Sequence, residues 1–107
     1  MLFDNVFRKR ENKIRRNYEI EDNLYSKLEE LSKVYDASVT ELINECLSNL
    51  IETENIVLYQ KDDNELPVTH TLLVRESNLL GLERLKTKYG VSISKLVNIA
   101  IRNALSS

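Results

Sequence analysis

The sequence predicts a mainly α-helical fold carrying a short antiparallel β-ribbon, with one unit built twice in a single chain. Three observations lead there. Residues 35–51, YDASVTELINECLSNLI, are echoed by residues 89–105, YGVSISKLVNIAIRNAL, without a gap at an offset of 54 residues. Such an internal repeat governs every later assignment. In both copies a serine stands where a helix starts, ahead of a broad apolar face. In both copies a short segment of period-two patterning precedes the helices.

The first unit is read over residues 13–51. In RRNYEI, Tyr18 and Ile20 alternate with Arg15, Asn17 and Glu19, the pattern of a half-buried strand. Asp22 occupies the place of a helix N-cap. Leu24, Leu28, Leu31 and Tyr35 then follow at spacings of four, three and four, one narrow helical stripe running from about residue 23 to 35. After the break at Asp36-Ala37, Ser38-Val39-Thr40-Glu41 has the form of a capping box. The serine oxygen can accept an orphan N–H at the third helical residue, and the glutamate can reach back to the serine N–H. Val39, Leu42, Ile43, Cys46, Leu47, Leu50 and Ile51 give the next helix two apolar residues per turn, as in a helix gripped on more than one side.

Residues 52–66 have no repeat counterpart and form a linker. Ile56–Tyr59 is either a short added strand or irregular chain. The second unit, residues 67–107, opens on a strand. Val68, His70, Leu72 and Val74 point one way and Thr69, Thr71 and Leu73 the other, and Pro67 sits at the first residue, where a missing donor is tolerated. Ser77 is the expected N-cap of a helix running to Tyr89. Gly90 stops that helix in a left-handed conformation, and Ser92 caps the last one. His70, the single histidine, is read as packed on the inward strand face.

Composition narrows the function classes. A chain of 107 residues with 42% apolar and 30% charged residues is a globular domain. The lone Cys46 excludes an intrachain disulfide and predicts a small buried residue in a reducing compartment. Met1–Phe7 is too short for the apolar region of a signal peptide, and no run suits a membrane span, so the expected location is the cytoplasm. Metal-ligand clusters, a Gly-rich phosphate loop and a nucleophile–base set are missing from the pattern, so neither a cofactor nor enzyme activity is expected. Net charge is −2, but it is unevenly spread: +4 over residues 1–16, −6 over 17–51, −4 over 52–66 and +4 over 67–107. Residues 1–12 form a basic arm around Arg8, Lys9 and Arg10 that suits phosphate.

Strand, helix, break, capping serine and second helix, carried by Asp36-Ala37-Ser38-Val39-Thr40-Glu41-Leu42 and Gly90-Val91-Ser92-Ile93-Ser94-Lys95-Leu96, resemble the ribbon-helix-helix family of DNA-binding proteins. The resemblance covers both copies. It implies a tandem ribbon-helix-helix chain folded as a single-chain pseudo-dimer, similar to tandem members among plasmid-transfer accessory proteins. It departs from the family pattern at Glu19 and Leu73, in the third outward strand positions, and at Asp36, which replaces a glycine. The charge blocks favour pairing first copy with second, −6 with +4, over first with first.

The function implied is sequence-specific binding of double-stranded DNA, as a transcriptional repressor or a plasmid transfer or maintenance factor, with self-association on DNA. Arg15, Asn17, Thr69 and Thr71 would read bases in the major groove. Arg8, Lys9, Arg10, Lys13 and the helix starts at Ser38, Thr40, Ser92, Ser94 and Lys95 would hold phosphates. Two other classes stay open: an antitoxin whose remaining segments bind a toxin, and an oligomerisation module without nucleic acid.

Overall fold

The structure, a computed structural model, describes residues 12–60 and 66–106. Two strands and four helices follow in the order β1 (Lys13–Glu21), α1 (Asp22–Val34), α2 (Val39–Thr53), β2 (Pro67–Arg75), α3 (Glu76–Tyr89) and α4 (Ile93–Ser106). The strands form one antiparallel two-stranded sheet. A lone ribbon is marginal in water; here Tyr18, Ile20, Leu72 and Val74 on its inner face join a core with Leu24, Leu28, Ile43, Leu47, Leu50, Leu82, Leu85, Leu96, Val97, Ile99 and Ile101. The central helices are α2 and α4, packed on each other; α4 lies under β1 and α2 under β2. Each strand therefore rests on the helix of the other copy. Gly81 is the close contact between α3 and α2: a Cβ there would come within 2.5 Å of the Ile51 side chain.

The register pairs Arg15 with Leu73, Asn17 with Thr71 and Glu19 with Thr69. Asn17 and Thr71 are themselves related by the 54-residue offset, so the ribbon's pairing is centred on them. Two asparagines fix this register. Asn98 on α4 accepts the N–H of Glu21 at 2.9 Å and donates to the carbonyls of Glu19 and Ser94, each at 2.8 Å. Asn44 on α2, its repeat partner, accepts the N–H of Arg75 at 3.0 Å and donates to the carbonyls of Leu73 at 2.9 Å and Thr40 at 3.1 Å. Both are buried, and each holds the outer edge of the strand belonging to the other copy.

Several local expectations are corrected. Neither Asp22 nor Ser77 is an N-cap. Strand runs directly into helix, so Glu21 and Arg75 occupy the cap positions, without a side-chain cap bond, and Asp22 is the first helical residue. Ser77 lies inside α3. Tyr35, placed on the apolar stripe of α1, is 67% exposed, and Val68 is also exposed. Residues 56–59 form no strand; they run irregularly, with Ile56 and Tyr59 packed on the core. Asp36 takes a left-handed conformation, φ 51°, where Gly90 has φ 65°. Asp is one of the few non-glycine residues that visit this region readily, and the N–H of Ala37 then closes onto the carbonyl of Ser32 at 3.0 Å, completing a helix stop.

The start of the linker is fixed. Glu54, at φ 52°, ends α2 and receives Lys88 at 2.7 Å, Tyr89 at 2.8 Å and Arg84 at 3.1 Å. These bonds, from Lys88 first, then Tyr89 and Arg84, hold its carboxyl down to about 2 from an ordinary 4.5. A depressed folded value means that the contribution is fully present above 4.5 and is lost as pH falls toward 2. The thermal midpoint of Glu54→Gln should therefore lie below that of wild type at pH 6 and converge on it as pH drops through this window. A constant gap would contradict the assignment.

Asn98→Ala leaves the Glu21 N–H and the Glu19 carbonyl without partners under the ribbon. Each orphaned buried group costs about 1–3 kcal/mol, so urea unfolding should show a clear loss of stability for Asn98→Ala and also for Asn44→Ala. A change within about 0.5 kcal/mol, the range of an ordinary surface substitution, would show that these asparagines do not hold the ribbon.

Candidate nucleic-acid interface

Alternation along the strands sends Lys13, Arg15, Asn17 and Glu19 of β1 and Thr69, Thr71 and Leu73 of β2 to one face. All seven are exposed. The four expected base readers, Arg15, Asn17, Thr69 and Thr71, are thus side by side, and Leu73 adds an apolar surface at 45% exposure. The Thr71 hydroxyl donates to the Asn17 side-chain oxygen at 2.7 Å. That bond takes one of the two lone pairs of the Asn17 oxygen and leaves its amide N–H groups as further donors at the centre of the face.

Each end of the ribbon abuts one helix start. At the Glu19 end, the Ser94 hydroxyl accepts the N–H of Glu19 at 3.4 Å, and Asn98 links the Ser94 and Glu19 carbonyls. At the Leu73 end, Asn44 links the Thr40 and Leu73 carbonyls. The serines cap as the repeat predicts. Ser92 accepts the N–H of Lys95 at 3.2 Å, and Ser38 accepts that of Glu41 at 3.1 Å. The reciprocal half of the capping box is different: the Ser38 hydroxyl donates to the Glu41 carboxylate at 3.2 Å, so that carboxylate serves the hydroxyl proton. Ser38, Thr40, Ser92, Ser94 and Lys95 are thereby distributed over the two flanks of the ribbon. Arg8, Lys9 and Arg10 lie outside the described residues.

The two flanks carry different charge. Lys95 and Glu41 are equivalent by the repeat, so one helix start bears a cation and the other an anion. The ribbon leans the opposite way. Lys13, Arg15 and Arg75 gather at the Leu73 end, where Arg75 pairs with Glu45 at 3.1 Å, whereas Glu19 and Glu21 lie at the other. A cavity of about 230 Å³ at that other end is lined by Glu19, Glu21, Tyr59, Ser94, Lys95 and Asn98, among others.

Several residues that shape the outer ribbon face and its flanks have no assignment from sequence alone. Asn44 and Asn98 coincide under the repeat, and a matched polar residue inside an apolar helix face was the available signal. Asn78 has no such signal, because its counterpart is Leu24. Buried, it donates to the Asn44 side-chain oxygen at 3.0 Å and accepts from the Ser48 hydroxyl at 3.0 Å. Tyr59 donates to the Glu21 carboxylate and lies 3.9 Å beneath the Arg102 guanidinium; burial, with Glu21 beside it, pushes its hydroxyl above the ordinary range. His70 is stacked on Tyr25, ring centroids 3.6 Å apart, in agreement with a packed strand histidine. Cys46 is buried, and burial pushes its thiol up to about 11, in agreement with a small core residue.

Among the described residues no group of three or more His, Cys, Asp or Glu side chains could hold a metal ion, and no helix is long and apolar enough to cross a membrane. Comparison of the chain with protein-family models, with curated proteins and with solved structures finds no match.

Ser92→Ala removes the cap of α4 and should lower stability by about 0.5–2 kcal/mol, measured by denaturant unfolding. Ser92→Asp, which restores an acceptor, should recover most of that loss. If alanine and aspartate variants unfold alike, the cap contributes nothing.

Proposed function

We propose that this chain is a tandem ribbon-helix-helix protein, folded as a single-chain pseudo-dimer, that binds double-stranded DNA sequence-specifically with its β-ribbon in the major groove. Regulation of transcription or of a plasmid process is the role this reading fits. The observation that carries it is the exposed outer ribbon face, centred on Asn17 and Thr71 and flanked at both ends by capped helix starts. A two-stranded ribbon fits the width of the major groove, where each base pair presents a distinct pattern of donors and acceptors. Arg15 can pair with guanine, and the threonines can meet polar edges or the thymine methyl. Asn17 can donate from its free amide, or exchange its bond with Thr71 for a paired contact with adenine.

Affinity would come from phosphates. Free N–H groups and the partial positive charge at the starts of α2 and α4 suit phosphate oxygens, and Lys95, Lys13 and the basic arm add cations. The exchange of strands between copies, each held by the other copy's asparagine, supports pairing within one chain. So does the charge match of −6 with +4. The two copies present Arg-x-Asn and Thr-x-Thr, so the preferred core site is asymmetric, unlike the element that two identical chains would read.

Selection of bound sites from a random duplex pool tests this. Wild type should enrich an asymmetric core. Arg15→Ala and Thr71→Ala should each relax one position, at about 1–3 kcal/mol of discrimination per lost contact. Lys95→Ala should weaken binding to all sequences alike and lower the salt slope by about 0.9. If the ribbon variants keep the wild-type base preferences and lose only affinity, the ribbon is not the reader. If wild type shows no salt-sensitive duplex binding, the whole reading fails.

A further inference from the structure

A groove of about 310 Å³ lies between the ends of α1 and α4 and the face of α2. Its lining includes Leu28, Leu31, Leu42 and Leu105, with Tyr35, Asn49 and Glu45. The second copy shows what happens at the equivalent place. Shifted by 54 residues, Tyr35 and Asn49 become Tyr89 and Asn103. There the Tyr89 hydroxyl donates to Glu54, and the Asn103 side chain donates to the carbonyl of Asn55 at 2.9 Å. Ile56 packs on the core. The three residues that follow α2 thus cover the second-copy site, where Leu85 is fully buried and Tyr89 is partly covered. In the first copy Leu28, like its counterpart Leu82, is buried, but Leu31 is only half-buried, and Val34 and Tyr35 are among the most exposed apolar side chains of the described residues.

We propose that residues 2–7 of the same chain, Leu-Phe-Asp-Asn-Val-Phe, cover the first-copy groove. Three features on this side of the molecule select that occupant. The first is the tether. The Asn12 carbonyl accepts the N–H of Glu76 at 2.9 Å, and Lys13 pairs with Arg75, whose guanidinium lies 3.1 Å from Glu45 on the groove. Asn12, to which the segment is joined through residues 8–11, therefore lies at the ribbon end that adjoins the groove. The five residues from Asn12 back to Phe7 span at most about 18 Å, and the groove face of α2 from Leu42 to Asn49 is only about 10 Å long.

The second feature is apolar chemistry. Leu2 with Val6 and Phe3 with Phe7 recur at a spacing of four, and Asp4-Asn5-Val6 repeats the acid, asparagine and β-branched order of Glu54-Asn55-Ile56. The third is charge. Arg84 and Lys88, which grip Glu54, are replaced by Glu30 and Val34 in the first copy. An acidic cover is thus not drawn in by its carboxylate there. Instead the cations that follow residue 7, Arg8, Lys9 and Arg10, face a first copy whose residues 17–51 carry a net −6, with Glu45 at the groove itself. Apolar side chains fill the groove, and the basic run is held between it and the Lys13 end of the ribbon. The inference stands without the DNA reading. If that reading holds, it fixes where the arm's cations meet phosphate.

The chain contains no tryptophan, so Phe3→Trp and Phe7→Trp each introduce a single reporter. In the full chain without DNA, we expect at least one of them to emit to the blue of free indole and to be shielded several-fold from iodide quenching. Both effects should persist on dilution at a sedimentation mass of one chain. Leu31→Ser in the groove should abolish the shielding; Glu45→Lys, an exposed change that spares the core, should weaken it, with circular dichroism showing that both variants stay folded. Free-indole emission from both reporters overturns the proposal, as does shielding that neither groove variant alters. Shielding that appears only in two-chain particles also overturns it, and assigns the groove to the arm of a second copy. None of these outcomes depends on DNA binding.

Discussion

Two buried side-chain amides hold the fold in register. Asn44 and Asn98 each bind an N–H and a carbonyl on the outer edge of one strand while also tying back to their own helix one turn earlier. A two-stranded sheet has two open edges, and an edge buried against a helix must find partners for its backbone groups. The asparagines provide those partners, and they do so across the copies. Remove that exchange and the apolar faces of α2 and α4 could still pack, but the polar contacts left to favour this register would be exposed bonds such as those of Ser94 to Glu19 and of Thr71 to Asn17. Asn78 extends the same network on one side only, joining Asn44 to Ser48.

Much of this architecture is legible in the sequence because it is local or repeated. Ser38, Ser92 and Gly90 announce helix boundaries through chemistry that acts within four residues, and the alternation in Val68–Val74 marks a strand whatever its partner. The fold class, four helices with one antiparallel ribbon, follows from these signals taken twice. Asp22 and Ser77 misled for a physical reason. They have the right chemistry for a cap, but strand runs into helix without a loop. The cap position therefore falls on Glu21 and Arg75, whose N–H groups are taken by Asn98 and Asn44. That is a contact between residues 31 and 77 positions apart, which no local pattern encodes. Tyr35 and Tyr89 show the same limit. They occupy matched places in the repeat, yet only Tyr89 has Glu54 as a partner, because residues 52–66 have no counterpart.

Alternation in the sequence selects Arg15, Asn17, Glu19, Thr69, Thr71 and Leu73 as the outer ribbon face, and Lys13 extends it by the same parity. The inequality of its two ends is not legible in this way. Lys95 against Glu41 and Leu73 against Glu19 are differences between equivalent positions, and they acquire meaning only once the register brings each helix start to its own end of the ribbon. A chain that contains both copies can let them diverge in this way. Two identical chains would carry every such change to both ends at once.

The direct passage from strand to helix has a mechanical side. At Glu21–Asp22 and at Arg75–Glu76 no residue intervenes that could act as a hinge, and the backbone on the strand side is clamped by an asparagine. Each strand and the helix that follows it thus form one continuous bent element, and the two elements share one core of apolar side chains. The placement of the strand ends relative to the helices is accordingly fixed within the fold itself. For any surface that covered this face, little of the entropy a flexible finger loses on docking would remain to be lost.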